Sequence, residues 1–157
     1  MMAYYALISI NPDELFDERR STYYKLIENV RKALSESEYD SPAYKGKLLD
    51  YCNNHPSVKM IPGQLTDPIQ VEPIYIDDFA IDNKEDPRNL DFTHDEAVNK
   101  GKYYWDDAQK CILTPARPTN VFWSKHLSNM MQQNFSLSEY FEHEKEIVER
   151  RARLLSK

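Results

Sequence analysis

The chain of 157 residues carries 26 acidic and 20 basic side chains, 41% hydrophobic residues and two cysteines, enough for one ordinary domain with a core of its own. Three glycines cannot supply a glycine-rich phosphate or dinucleotide loop, which needs several at close spacing. A net charge of -6 and a pI near 5.2 leave no overall basic field for gripping nucleic acid, and no run approaches the roughly 20 apolar residues needed to cross a bilayer.

Ala3 to Ile10 is apolar on both alternating faces apart from Ser9, which predicts a strand covered on both sides, and it lacks the basic flank of a signal peptide. Asn11, Pro12 and Glu14 supply an N-cap, a first-turn proline and an N3 carboxylate, predicting a helix to about Ser35. Phe16, Tyr23, Ile27, Val30 and Leu34 form its expected buried stripe. Ser41-Pro42 repeats the cap signal, so a second helix is expected with Tyr44, Leu48, Tyr51 and Cys52 on one face, ending at Asn53-Asn54-His55-Pro56.

Five of the nine prolines fall between Pro56 and Pro87, so residues 56–92 read as a loop-rich, acidic middle with one edge strand at Ile69, Val71, Pro73 and Tyr75. Thr93 and Glu96 have capping-box spacing and Gly101 suits a helix end, predicting a short helix over His94 to Lys100. Tyr103-Tyr104-Trp105 and Cys111-Ile112-Leu113 flank a polar turn and predict a hairpin.

Residues 119–156 read as a helical pair. Phe122, Trp123, His126, Leu127, Met130 and Met131 recur at helical spacing over Thr119 to Gln133, and Asn134 suits a left-handed end. Ser136 and Glu139 form a capping box, with Phe135 and Tyr140 spaced as a hydrophobic staple. In the final helix, to about Leu155, Tyr140, Ile147 and Leu154 repeat every seven residues beside Phe141, Val148 and Leu155, while Glu144 and Arg151 hold the intervening seam. Glu146 with Arg150 and Glu149 with Arg153 have ion-pair spacing.

Several residue sets have the makings of chemistry. Tyr75-Ile76-Asp77-Asp78 resembles the Tyr-x-Asp-Asp tetrad of reverse-transcriptase palm hairpins, which implies paired carboxylates on divalent ions; the resemblance covers four residues, without the further carboxylate and larger body that a palm needs. Cys52-Asn53-Asn54-His55 is half of a soft-metal site whose other half is missing, and Cys111, His94, His126 and His143 stand singly. Cys52 as a thiol nucleophile requires one of the four histidines to be brought close by the fold.

Asp77 to Glu96 holds eight acids against Lys84 and Arg88, a local charge of -6 equal to that of the whole chain, without the glycine and ligand spacing of an EF-hand. Lys45-Gly46-Lys47 and Lys100-Gly101-Lys102 lie beside tyrosines, the materials of a single-strand stacking platform, though four lysines do not make a groove.

The expectation is a single α+β domain over residues 1–157, with a small, mostly antiparallel sheet packed by N-terminal helices and a C-terminal helical pair. Functionally it reads as a soluble, cytoplasmic, non-enzymatic interaction, regulatory or assembly subunit needing no cofactor or metal. Asp77, Asp78, Asp82, Glu85 and Asp86 would steer a basic protein partner, and Trp123, Met130, Met131 and Tyr140 would make the contact. The C-terminal helices also offer a route to a homo-oligomer. The rival readings are a metal-dependent hydrolase using Asp77 and Asp78, and a weak nucleic-acid-binding module using the Lys-Gly-Lys loops.

Overall fold

In a computed structural model of the chain, which describes residues 1–156, Met2–Ile8 is a helix (α1) rather than the expected strand. An apolar run this short satisfies either period; here Tyr4, Tyr5 and Ile8 meet on one helical face and bury almost completely. Asn11 caps only a 3-10 turn, Pro12–Glu14, accepting from the Asp13 N–H, and the chain then extends through Leu15 and Phe16. Phe16 is therefore not on the stripe but 81% exposed. Arg20 turns back to donate to the carbonyls of Pro12 and Leu15, satisfying the interrupted backbone. The long helix α2 spans Asp17–Glu36 and buries Tyr23, Ile27 and Leu34.

The second expected helix is a hairpin followed by a shorter helix. Glu38–Asp40 (β1) pairs antiparallel with Lys45–Lys47 (β2), and α3 runs Leu48–Asn53. Gly46 at φ +133 adopts a backbone foreign to a helix and to any other residue type, so Ser41-Pro42 opens a turn.

No edge strand forms over 69–75. Asp67 accepts from the N–H groups of Ile69 and Gln70, curling the chain, and Val71 takes a positive φ of 56 and faces solvent. One bridge, Thr66 with Pro73, closes this loop, and Ile76–Ala80 adds a 3-10 turn.

Leu90–His94 (β3) pairs antiparallel with Val121–Lys125 (β6), with Phe92 opposite Trp123. This pairing overturns two helix expectations. Thr93 does not cap a helix, because its hydroxyl is held by that of Ser124 at 2.6 Å across the strands, and residues 97–101 close a single turn. Gly101 is needed there because a Cβ would fall 2.6 Å from Pro115. Val121 to Lys125, buried on both faces apart from half-buried Trp123, follows β propensity, so the helix expected from Thr119 starts only at His126. Tyr104–Asp106 (β4) and Cys111–Leu113 (β5) make the expected hairpin. His126–Gln132 is α4 and Leu137–Leu155 is α5. Gln133, not Asn134, takes the positive φ between them.

The architecture is thus α+β, with antiparallel two-stranded sheets, helices at the N-terminal end and a helical pair at the other. One core joins Tyr4, Tyr5 and Ile8 of α1 to Tyr23, Ile27 and Leu34 of α2, Leu48 and Cys52 of α3, Phe122 of β6 and Leu137 of α5. Val58, Leu65, Ile69 and Ile74 from the loop-rich middle complete it, so that stretch is a packed layer despite its lack of regular structure. No described helix is long and apolar enough to cross a membrane.

Candidate functional site

Helix α4 is amphipathic with its faces reversed. Ser128 and Gln132, one turn apart, are 0% and 1% exposed, whereas Leu127, Met130 and Met131 are 50%, 58% and 43% exposed. The inversion follows from hydrogen bonding. Ser128 donates to Asp67 at 2.8 Å and accepts from Gln70, and the Gln132 amide donates to the carbonyls of His94, Asp95 and Phe135. Satisfied polar groups can line an interior. With the polar side held inward, the i, i+3, i+4 apolar row faces solvent.

At the α4–α5 junction the Ser136 hydroxyl accepts from the Glu139 N–H and the Glu139 carboxylate accepts from the Ser136 N–H, as the capping box requires. The Ser136 N–H and hydroxyl, both donating to that carboxylate, hold the Glu139 carboxyl below its ordinary pKa. Asp95, from the loop after β3, accepts the Leu137 N–H at 2.7 Å, a second anchor on the same helix end. Phe135 stacks on the His143 ring, at 5.7 Å between centroids. Tyr140 and Phe141 lie half-buried against the core, but every residue from 142 to 156 is exposed, so α5 leaves the body as an arm. Arg150 pairs with Glu146 at 2.6 Å, while Arg153 reaches the Glu149 backbone oxygen rather than its carboxylate.

The acidic segment divides by exposure. Asp77, Asp82 and Glu85 are exposed, whereas Asp78 is 2% exposed and accepts the Tyr75 N–H. Asp86 is paired with Arg88, and Glu96 with the buried Arg117. Asp91 accepts from His126 Nδ1 and from the Asn129 amide, and these bonds outweigh its burial to leave its carboxyl below the ordinary pKa. Of the contact candidates, Met130 and Met131 face out. Trp123 is clasped edge-on by Phe79 and Phe92, and Tyr140 is half used by the core.

Cys52 lies in the core, and burial pushes its thiol up to about 11, which suppresses the thiolate. His55 Nδ1 accepts the N–H groups of Ser57 and Val58, which makes it a turn cap. Among the described residues no group of three His, Cys, Asp or Glu side chains is placed to hold a metal. Lys45 and Lys47 are paired with Asp40 and Glu38, so half of the Lys-Gly-Lys charge is neutralised within its own hairpin.

Sequence reasoning missed Asp67, whose carboxylate organises the α4 face, and the Asp91–His126 pair. Asp67 caps its own turn at Ile69 and Gln70, a local signal, but the partners through which it and Asp91 reach β6 and α4 lie 35 to 61 residues away. Comparison of the chain with protein-family models, with curated proteins and with solved structures gives no match.

Proposed function

We propose that this chain is a non-enzymatic interaction or assembly subunit of the cytoplasm, and that the outward face of α4 is its principal contact surface. The reversed amphipathicity of α4 carries the reading: Leu127, Met130 and Met131 are presented to solvent by a helix whose Ser128 hydroxyl and Gln132 amide N–H groups are hydrogen-bonded inside. Methionines suit such a surface because their unbranched, polarisable side chains repack against differently shaped partners. The exposed carboxylates Asp77, Asp82 and Glu85 would assist approach of a basic partner, an effect on association rate more than on affinity. The unjoined thiols of Cys52 and Cys111 fit a reducing compartment.

The test is proximity cross-linking in the native cell with the wild-type chain and with Met130→Glu/Met131→Glu, a pair of exposed changes that leave the core untouched. A partner set that the double variant loses, at unchanged denaturation midpoint, is the expected result. An identical set for both proteins would remove α4 as the contact surface.

A further inference from the structure

The arm formed by α5 beyond Phe141 carries an apolar stripe that nothing in the described chain covers. Ile147 and Val148 are followed one heptad later by Leu154 and Leu155, which are 73% and 78% exposed. Tyr140 and Phe141 begin the same stripe at the edge of the body. At 100° per residue, Glu144 and Arg151 fall along the midline of this stripe, between its two apolar edges. Neither has an ion-pair partner among the described residues, although Arg150 beside them is paired with Glu146. A midline carrying one acid and one base, seven residues apart, between apolar pairs is a pattern that selects its own complement.

We infer that α5 pairs with α5 of a second copy of this chain, antiparallel, about a two-fold axis between Ile147 and Val148. In that register Glu144 of each helix faces Arg151 of the other, and the two ionic layers alternate with three apolar ones. The central apolar layer joins Ile147 and Val148 of both copies, and each outer layer sets Leu155 and Leu154 of one copy against the sides of Tyr140 and Phe141 that the other copy's core leaves open. The alternative arrangements fail on charge. A parallel pair in register sets Glu144 against Glu144 and Arg151 against Arg151, and an antiparallel pair centred on Arg151 opposes two guanidiniums; like charges at such a seam are strongly disfavoured. The contact is isologous, as closed two-fold dimers require. It places the two bodies at opposite ends of a helix pair about 28 Å long, from 19 residues at 1.5 Å each. The dimer thereby presents the α4 face twice, which makes the subunit bivalent toward a repeated or paired partner. The pairing goes beyond the α4 reading and does not depend on it.

Sedimentation velocity of the full chain over a wide concentration range tests this directly. The expected result is a reversible monomer–dimer equilibrium. Glu144→Arg or Arg151→Glu alone should weaken it by about tenfold or more, because each sets like charges in both ionic layers. The exchange Glu144→Arg/Arg151→Glu should restore it to within about twofold of wild type, as should mixing the two single variants. These positions are exposed, so circular dichroism should show all variants folded. Orientation is read separately from spin labels on Ser156→Cys in a Cys111→Ser background. The labelled positions lie about 25 Å apart along the axis in the antiparallel pair but side by side in a parallel one. An exchange variant no stronger than the single variants, or side-by-side labels, would overturn the pairing. So would a wild-type chain that stays monomeric throughout; if that monomer still loses its cellular partners on Met130→Glu/Met131→Glu, the α4 reading survives while self-pairing fails.

Discussion

The carboxylate of Asp67 accepts the backbone N–H of Lys125 at 2.7 Å, joining residues 58 positions apart at the point where β6 becomes α4. Its other oxygen accepts from Ile69, Gln70 and Ser128, so one side chain shapes the central loop and orients α4. The Lys125 ammonium pairs with Glu72 of the same loop, reinforcing the junction.

The first prediction concerns that carboxylate. Asp67→Ala leaves four donors short of their acceptor in a fully buried place, so it should destabilise the fold by about 3 kcal/mol. Asp67→Asn keeps one acceptor but turns an amide toward existing donors, and should cost about 1 to 2 kcal/mol. Urea denaturation measures both. A loss below about 0.5 kcal/mol for the alanine variant would mean that loop and helix hold their places without it.

Asp77 and Asp78 make a paired test, because the two neighbours have opposite environments. Asp78→Ala removes the acceptor for the Tyr75 N–H and should cost about 1 kcal/mol, in the range of other lost caps. Asp77→Ala changes an exposed residue and should stay within about 0.5 kcal/mol of wild type. Equal effects from the two would contradict the placement of this turn.

What could be read in advance depends on how far a residue's partners lie along the chain. Ser136 and Glu139 satisfy each other across three residues, and the Tyr104–Leu113 hairpin closes over a short turn, so both are legible as local patterns. Val121 to Lys125 looks helical by spacing because Phe122, Trp123 and His126 fit the period, yet Leu90 to His94 supplies a strand partner about thirty residues earlier, and β-prone side chains accept it. The methionines of α4 are legible as an adaptable surface, but not their direction. That is decided by Ser128 and Gln132 finding partners at Asp67, His94 and Asp95, none within thirty residues of its donor in sequence. Cys52 and His55 show the converse, a ligand-like spacing whose members serve the core and a turn.

His55 gives a prediction in pH. Burial holds its imidazole below the ordinary pKa, with Asp95 acting the other way, and Nδ1 must stay unprotonated to accept from Ser57 and Val58. A base whose pKa is lower folded than unfolded binds its proton better when unfolded, so its contribution to stability is present above about pH 6.5 and is lost as pH falls through the folded value. His94, also lowered by burial, acts in the same direction. Comparison with His55→Ala isolates the first. The variant should be less stable by about 1 to 2 kcal/mol at pH 7 and lose less between pH 7 and pH 5 than wild type. Parallel stability curves across that interval would show that His55 does not titrate with unfolding. The Asp91 contribution belongs to a lower window, since its depressed pKa keeps its bonds to His126 and Asn129 until pH falls below about 4.

The last prediction separates the arm from the body. Ser136 and Asp95 both satisfy N–H groups in the first turn of α5, but the residues that follow from 142 onward are all exposed, with the stacking of His143 on Phe135 at their start. A helix without tertiary support depends on its caps more than a packed one does, since helix nucleation is costly and no burial compensates for fraying. Ser136→Ala should therefore weaken the arm by about 1 kcal/mol, raising amide exchange over residues 142–155 by about fivefold. Asp95→Ala should act at the same turn, and because both changes remove acceptors from one helix end their combined effect should differ from the sum. Amides of α2 and β6, which report the core, should keep wild-type protection in both variants. At concentrations where the chain dimerises, the arm of the wild type should gain protection that Glu144→Arg lacks, so exchange measured at low and high concentration separates fraying from pairing. If Ser136→Ala speeds exchange equally in α2 and in the arm, the arm is not an independent unit and its exposed stripe has to be explained by the stability of the whole domain.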